Sequence, residues 1–429
     1  MLKLSFSFIN LVVEVGTMSD GSKAVLLSSE PLDLSVGMYV YARPEFYLGP
    51  TVKFVKNVMG FKVFEIGLEG DIARPKTDEV VGNNVKCWKG SFLRYVLCKE
   101  NIPTLDAVEL VRKVLNSRVS YAGLKDAEGY TCQYITVKCV EGRSYSRYYE
   151  LLKGKIKMWF SGVVYEPLRR GCLSGNYFEV SLLNVSEEVL LKVDSMARKI
   201  HETPIPNYYG YQRFGSVRPV THVIGKALLR ENFEEVIKWV LGNPYPKENP
   251  RTIAARKAFE EGRLEEAVKL FPKSLSVEKF LLRKLIEGYT YERAVKSLDP
   301  QYLRIYVESY QSYLFNVALS KSILRHESLE NFLKKCEVAP LPHPKARLDD
   351  RCSAEFIEGL DEEVETLKEA SKSSFAKFMS KASREVAFTV KNFSYEYEKF
   401  NNVMKLKFEL DPSAYATVFL RELTHKVNS

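Results

Sequence analysis

The sequence predicts an α+β fold in which a mainly helical domain is inserted into a domain with a mixed β-sheet flanked by helices. Short segments of alternating apolar and polar residues, broken by Gly and Pro, fill the first part of the chain. From about residue 221 to residue 382 apolar residues recur at helical spacing, and strand-like alternation returns only near the C-terminus. We therefore expect an N-terminal extension with strands over residues 1–40, a sheet domain over 41–220 and 384–429, and a helical insertion over 221–383.

Composition describes an ordinary globular chain with a moderate excess of positive charge. Its 429 residues include 63 Lys and Arg and 54 Asp and Glu, a formal charge of +9, and 45% of them are hydrophobic. This length is enough for more than one hydrophobic core. Because 25 Tyr and 24 Phe accompany the positive charge, nucleic acid with unpaired bases is the favoured anionic partner. Rings packed in the cores, and a charge without functional meaning, are the competing explanation.

Cysteine and histidine spacing predicts neither a metal site nor a disulfide framework. The seven cysteines contain no C-x-x-C pair, and the five histidines are scattered singly. This usage fits a reducing compartment, so we expect a cytoplasmic protein. The apolar N-terminus lacks a small-residue cleavage site and carries Glu14, so we expect a strand, or an extension before a start at Met18, and no secretory signal. No later apolar run is long enough to span a membrane.

Strands and one helix are predicted before the first unusual stretch. FKVFEI (residues 61–66) and SFLRYVLC (residues 91–98) alternate as strands of a half-covered sheet do. Thr104 stands at an N-cap position of TLDAVELVRKVLNS, whose apolar residues share one helical face. The helix leads directly into SYAGLKDAEGYTCQ (residues 120–133).

Asp126 is the central residue of that stretch. It lies between an apolar segment and a β-patterned one, which is where catalytic side chains tend to lie. Gly123 and Gly129 bracket it and allow positive φ or a close approach of the backbone to a ligand. Thr131 and Gln133 follow as polar supports. A plain loop with a solvated Asp is the alternative.

A loop rich in tyrosine forms the second unusual stretch. PNYYGYQRFGSVRP (residues 206–219) follows a predicted strand and a helix that begins after Ser186. Tyrosine rings beside arginine can hold a nucleobase between flat faces, whereas a hydrophobic plug is the alternative. The helical segments that follow include YLRIYVESYQSYLFNVALSKSIL (residues 302–324), whose tyrosine stripe is best explained by core packing.

Five separated motifs carry a resemblance to a known family. SYAGLKDAEGYTCQ, LRRGCLSGNYFEV, PNYYGYQRFG, SYQSYLFN and SAYATVFLRE occur in this order between residues 120 and 422. They resemble the motifs of the TruD family of tRNA pseudouridine synthases, in its archaeal and eukaryotic branch. The resemblance implies a pseudouridine synthase catalytic domain with an inserted TRUD domain. It also implies an isomerase that converts uridine to pseudouridine in tRNA without a metal or other cofactor.

The resemblance assigns roles to individual residues. Asp126 corresponds to the family's catalytic Asp, which acts as a nucleophile at C1′ or as a base at C2′. Tyr209 is expected to stack on the extruded uracil, with Asn207 as a hydrogen-bonding support to the loop or to Asp126. The remaining substrate-binding candidates are Gln212, Arg213, Arg421 and Lys56.

Two of these assignments leave alternatives open. The family's P-E-D-F segment is missing from KFVKNVMGFKVFEI (residues 53–66), so the functional lysine is expected at Lys56, with Lys53 as the alternative. Arg421 stands beside Glu422, and an internal ion pair competes with a contact to phosphate or carboxylate.

The expected function is modification of uridine 13 of tRNA, with position 35 as a further target in the archaeal branch. We expect the protein to act as a monomer and to use no membrane. Two other classes stand as alternatives: a protein that binds structured RNA without modifying it, and an Asp-dependent nucleoside hydrolase.

Overall fold

The computed structural model describes residues 25–76, 84–125, 128–215, 217–345, 351–358, 360 and 363–425. Two predictions concern residues outside these ranges: the catalytic role of Asp126, and the strand or extension expected before Met18. The described residues divide into two compact units. We call them the sheet unit, drawn from Glu45–Ile205 and Phe388–Ser429, and the helical unit, drawn from Met1–Pro44 and Pro206–Ala387.

In the described residues most strands lie before Asn207 or after Ala382, and most helices lie between these positions. The strands are β1 Leu26–Leu27, β2 Val40–Tyr41, β3 Lys53–Phe54, β4 Phe61–Ile66, β5 Val85–Lys86, β6 Phe92–Glu100, β7 Val119–Tyr121, β8 Tyr130–Lys138, β9 Ser144–Tyr145, β10 Tyr148–Leu151, β11 Ile156–Val164, β12 Gly175–Leu183, β13 Ile205–Pro206, β14 Val338–Pro340, β15 Ser383–Glu385, β16 Ala387–Phe388, β17 Lys391–Glu398 and β18 Val403–Leu410. The helices are α1 Pro31–Ser35, α2 Thr104–Leu115, α3 Glu187–Ala197, α4 Thr221–Leu229, α5 Phe233–Leu241, α6 Pro250–Glu260, α7 Leu264–Leu270, α8 Ser276–Ile286, α9 Tyr291–Lys296, α10 Pro300–Arg325, α11 Leu329–Leu333, α12 Arg351–Glu358, α13 Val364–Ala370 and α14 Ala416–Thr424.

One large mixed sheet forms the sheet unit. Its strand order is β10-β11-β6-β8-β4-β12-β18-β17, with β3 beside β12 and β7 beside β8. β4 and β8 run parallel, from Lys62 opposite Tyr130 to Phe64 opposite Cys132, whereas the other neighbours in this order run antiparallel. The mixed sheet predicted from the sequence is therefore confirmed, and FKVFEI forms β4 as expected.

Alternation along the strands sends apolar side chains to both faces of this sheet. Leu93 and Leu97 of β6 pack with Val111 of α2 in one cluster, whereas Val96 packs with Trp159 in a second cluster. Helix α2 therefore covers one face of the sheet. Its N-terminus brings Thr104 to the loop between β7 and β8.

Helix α10 is the longest element of the helical unit. Its residues Leu314 and Tyr310 are buried, so core packing accounts for the tyrosine stripe as expected. Helix α4 approaches α10 closely because Gly225 has no side chain: a Cβ there would lie 2.0 Å from the carbonyl oxygen of Tyr306. Within the described part of the chain, every helix is too short or too polar to cross a bilayer.

The boundaries of the two units differ from those expected from the sequence. Residues 25–44 and 206–220 belong to the helical unit. Long-range bonds to α10 explain this division: the Tyr208 hydroxyl lies 2.9 Å from Ser320 Oγ, and the Tyr39 N–H donates to the same Oγ at 3.0 Å. Such bonds leave no trace in local sequence pattern.

The expectation that there is no disulfide framework is wrong for this structure. Disulfides join Cys87 to Cys139, Cys98 to Cys132, and Cys336 to Cys352, and they leave Cys172 as a free thiol. The paired cysteines are 52, 34 and 16 residues apart, so spacing did not reveal them. Strand register creates one of the pairs, because Cys98 of β6 lies directly opposite Cys132 of β8.

Candidate active site

The loop between β7 and β8 carries position 126, and its described flanks are held by backbone contacts. Gly129 has a φ of +98°, and a Cβ at this position would lie 2.6 Å from the carbonyl oxygen of Phe61. Only glycine meets both conditions without strain. Asn101 holds the same residue, since its Oδ1 accepts from the Gly129 N–H at 3.0 Å and its own N–H donates to the Gly129 carbonyl at 3.1 Å.

Thr104 holds the other side of the loop. Its Oγ1 accepts from the Lys125 N–H at 3.0 Å, and its hydroxyl lies within donating distance of the Lys125 carbonyl and of Gln133 Oε1. Gln133 in turn donates from Nε2 to the Gly123 carbonyl at 3.1 Å. The expected N-cap role of Thr104 is wrong. Thr104 is the first residue of α2, Pro103 occupies the N-cap position, and no side chain caps the helix.

A buried ion pair lies next to this contact. Lys125 Nζ is 2.8 Å from Glu65 Oε2, and the two side chains are 4% and 1% exposed. Glu65 Oε1 also accepts from the Tyr134 N–H of β8 at 3.2 Å. Lys99 of β6, opposite Thr131, is buried as well. Glu65, Lys99 and Lys125 are thus three buried charged residues of the sheet unit.

Lys56 also contacts this loop. Its Nζ lies 2.7 Å from Glu128 Oε2, with the lysine side chain 22% exposed and the glutamate 45% exposed. Lys53 is an exposed residue of β3. Of the two lysines left open by the sequence, Lys56 is the one bonded to the loop, two residues from position 126.

Arg421 lies inside the sheet unit. Its side chain is 1% exposed, and its Nη1 lies 3.2 Å from Glu422 Oε1 in α14. The structure thus shows the internal ion pair that the sequence left open. The guanidinium is therefore buried in the described structure.

Asn207 stands at the start of the tyrosine-rich loop, in the helical unit, and is fully buried. Its Nδ2 donates to the Glu385 carbonyl at 3.0 Å, and its Oδ1 accepts from Arg384 at 2.6 Å. Both ends of the amide are thus used to hold the loop. This corresponds to the loop-supporting role considered for Asn207.

Tyr209 is half-buried and is enclosed by side chains of the helical unit. The Arg384 guanidinium lies 4.1 Å from the centre of its ring, and Phe315 meets the ring edge-on at 5.6 Å. Arg213 lies near the same ring, while its Nη2 is 3.0 Å from Glu308 Oε2. A ring with a guanidinium stacked on it is a suitable platform for a base.

Gln212 is half-buried and lies in a short 3₁₀ helix of one turn, Tyr211–Arg213. The turn is anchored by Tyr211, whose hydroxyl bonds to the buried Asp33. Gln212 is thereby held in the same rigid segment as Tyr209.

Several residues of these two regions were missed by sequence reasoning. Arg384 and Asn316 hold the tyrosine-rich loop, and Thr104 holds the loop at position 126. Asn316 is the last residue of the SYQSYLFN motif, so the motif could have pointed to it as a functional residue. Arg384 lies outside every motif, and nothing in its local sequence marks it.

Burial also sets the protonation of Tyr130, the first residue of β8. Desolvation, with a smaller contribution from the Glu100 carboxylate, raises the pKa of Tyr130 to about 12. Its hydroxyl therefore stays neutral at physiological pH. Within the described ranges, no three His, Cys, Asp or Glu side chains gather as metal ligands.

Comparison with known proteins gives one consistent result. The family model for "tRNA pseudouridine synthase D (TruD)" matches residues 36–340. Proteins named "Probable tRNA pseudouridine synthase D" are 30% identical in Saccharolobus solfataricus, covering 83% of this chain and 92% of that protein, and 31% identical in Methanopyrus kandleri, covering 82% and 89%. The crystal structure of a candidate tRNA pseudouridine synthase D from Methanosarcina mazei shares the fold, with a TM-score of 0.64 at 24% identity, over 92% of this chain and 98% of that one. The chain therefore belongs to the tRNA pseudouridine synthase D (TruD) family.

Proposed function

We propose that this protein is a cofactor-independent isomerase that converts uridine to pseudouridine in tRNA, with uridine 13 as its target and Asp126 as its catalytic carboxylate. Family membership supports the reaction class. The observation that supports the site most strongly is that the described flanks of position 126 are bonded to Asn101, Thr104, Glu65 and Gln133, which come from three segments of the sheet unit. The described residues on both sides of position 126 are thus held by hydrogen bonds or ion pairs.

The reaction requires a carboxylate and an extruded base. The N1–C1′ bond breaks, the uracil turns, C5 bonds to C1′, and the C5 proton is lost while N1 gains a proton, so no atom is added or removed overall. An ionised Asp126 serves either as nucleophile at C1′ or as base at C2′. The uridine must leave its stack for either step.

The tyrosine-rich loop supplies the base-binding part of the proposal. Tyr209, with Arg384 stacked on its ring, offers a flat surface to the uracil. Asn207 keeps that loop in place through Arg384 and Glu385. Gln212 and Arg213, half-buried in the same loop, are the further residues proposed to contact the RNA. Lys56, bonded to Glu128, provides positive charge beside the catalytic loop.

A cytoplasmic, monomeric enzyme remains part of the proposal. The proposed location no longer rests on cysteine usage, since six of the cysteines form disulfides in the structure. Sedimentation of the purified protein with and without tRNA measures the oligomeric state.

The target position is tested by mapping pseudouridine on defined transcripts. A tRNA transcript with uridine at position 13 is incubated with the protein beside a matched transcript with cytidine at 13, and both are analysed by carbodiimide modification and primer extension. We expect one new stop, at position 13, in the first transcript only. A stop at position 35 in both transcripts would reassign the target.

Two other outcomes would reject the proposed activity. Tight binding of the transcript without any new pseudouridine would support a structured-RNA-binding protein. Release of free uracil, detected by chromatography, would support a nucleoside hydrolase.

A further inference from the structure

The ion pair between Lys125 and Glu65 adjoins position 126 and is almost completely removed from water. A buried ion pair is an inefficient way to stabilise a fold, because desolvation of the two charges offsets their attraction. Two apolar side chains of similar volume usually stabilise a core at least as well. The charge at this place therefore needs an explanation other than stability.

Glu65 lies one residue beyond the last parallel pairing of β4 with β8. The parallel pairing of β4 and β8 runs from Lys62 opposite Tyr130 to Phe64 opposite Cys132. At this next residue of β4, Glu65 Oε1 accepts a hydrogen bond from the Tyr134 N–H of β8. The Glu65 carboxylate thus links both strands to the lysine of the loop.

Gly123 shows that the loop is shaped around the ammonium group. A Cβ at Gly123 would lie 3.1 Å from Lys125 Nζ and 3.7 Å from Glu65 Oε2. Gly123 does not have a positive φ, so backbone conformation does not require glycine here. The missing side chain instead makes room for the ammonium group.

The Lys125 backbone is held as firmly as its side chain. Thr104 Oγ1 accepts from its N–H at 3.0 Å and approaches its carbonyl at 3.2 Å. With the ammonium group fixed by Glu65, every polar group of the residue before Asp126 has a partner. The backbone and the side chain of Lys125 are therefore both held in place.

We propose that Lys125 and Glu65 are a pair of positioning residues, which hold the backbone at residue 125 so that the carboxylate of Asp126 stays in its reactive place while the uracil turns. The inference rests on the proposed function. The lysine acts through the backbone and does not bind RNA. Loss of the pair must then lower the rate of the chemical step and leave tRNA affinity unchanged.

The double variant Glu65→Leu with Lys125→Met tests this directly. It replaces the charged pair by an apolar one of similar volume but leaves the Tyr134 N–H of β8 without its acceptor, so we expect a folded protein with a melting temperature somewhat below the native value. We expect the single-turnover rate to fall by about tenfold or more, with the Kd for tRNA within about twofold. A native single-turnover rate in a folded double variant would overturn the inference.

Gly123→Ala provides a second variant that perturbs the same contact mildly. The added methyl group should displace the ammonium group and slow the single turnover. The same substitution made in the Glu65→Leu, Lys125→Met background should have no further effect, because the ammonium group is already gone. Independent, additive effects would contradict the inference. If the double variant does not fold, a native single-turnover rate for Gly123→Ala alone contradicts it.

A buried pair in the helical unit serves as the matched control. Arg256 and Glu248 are 3% and 8% exposed, and their ion pair is 2.7 Å long. Arg256→Met with Glu248→Leu, assayed where it is folded, should keep the native single-turnover rate within about twofold. An equal loss in this control would refute a specific role for Lys125 and Glu65, whereas a native protein that forms no pseudouridine would reject the proposed function itself.

Discussion

The side-chain amide of Asn316 bonds to both backbone groups of Tyr209. Asn316 Oδ1 accepts from the Tyr209 N–H at 2.7 Å, and Nδ2 donates to the Tyr209 carbonyl at 3.0 Å. Asn316 is fully buried in α10, the longest helix of the helical unit. The position of the Tyr209 ring is thus set by a rigid element rather than by the loop alone.

Replacement of Asn316 by Ala is expected to loosen this loop. Two backbone groups of Tyr209 would lose their partner, so the free energy of unfolding should fall by about 1–3 kcal/mol. The KM for tRNA should rise as the ring loses its fixed position. Urea denaturation and steady-state assays measure the two effects. Asn331→Ala, at an exposed position of α11, is the control and should change stability by less than about 0.5 kcal/mol; equal stability of the two variants would contradict the role of Asn316.

Tyr209 itself is expected to contribute to tRNA binding by stacking. Tyr209→Ala should weaken tRNA binding by about 1–3 kcal/mol, whereas Tyr209→Phe, which keeps the ring, should bind normally. Filter binding of a tRNA transcript measures both affinities. Tyr291→Ala removes a ring that is 44% exposed in the same unit and should leave affinity unchanged. Native affinity of folded Tyr209→Ala would rule out the stacking role.

His222 is expected to make the protein less stable in acid. Burial lowers the pKa of His222 to about 3, well below its ordinary value. Between pH 6.5 and pH 3 the unfolded chain therefore binds a proton at this residue that the folded chain does not bind. The free energy of unfolding should fall with decreasing pH in this window, by about 1.4 kcal/mol per pH unit for this group.

The variant His222→Phe isolates that contribution. It keeps a ring beside Tyr313, which stacks on His222 at 4.9 Å. Urea denaturation at several pH values between 4 and 7 should give a shallower pH dependence for the variant than for the native protein. Parallel curves for the two proteins would mean that His222 binds its proton equally well in the folded and unfolded states.

The cysteines are expected to react in two distinct classes. Protein purified and denatured without reductant should take up one iodoacetamide, at Cys172, and seven after reduction. Reduction should also lower the melting temperature. Each disulfide lowers the entropy of the unfolded chain and so raises the free energy of unfolding by about 3–4 kcal/mol. Mass spectrometry counts the alkylated groups. Uptake of seven without reduction would show that no disulfide forms.

Local patterns predicted a large part of this fold. Period-two alternation located β4 and β6, and helical periodicity located α2 within two residues of its end. The five motifs led to the family, because each preserves a short run of residues in one piece of chain. These features depend on neighbouring residues and are readable from sequence.

The contacts that build the candidate site are long-range and were not predicted. Thr104 resembles an N-cap in sequence, yet its hydroxyl bonds to Lys125, 21 residues away. Arg384 reaches Asn207 over 177 residues, and Cys98 meets Cys132 through strand register. Such partners are chosen when the chain closes into its tertiary structure, so no local pattern contains them.

The central claim is that a single carboxylate at residue 126 performs the isomerisation. Its most direct test is tritium release from tRNA labelled at uracil C5, measured for the native protein and for Asp126→Asn, which keeps the side-chain size and removes the charge. We expect release by the native protein, none by Asp126→Asn, and similar tRNA affinity for both. Release by Asp126→Asn at the native rate would contradict it.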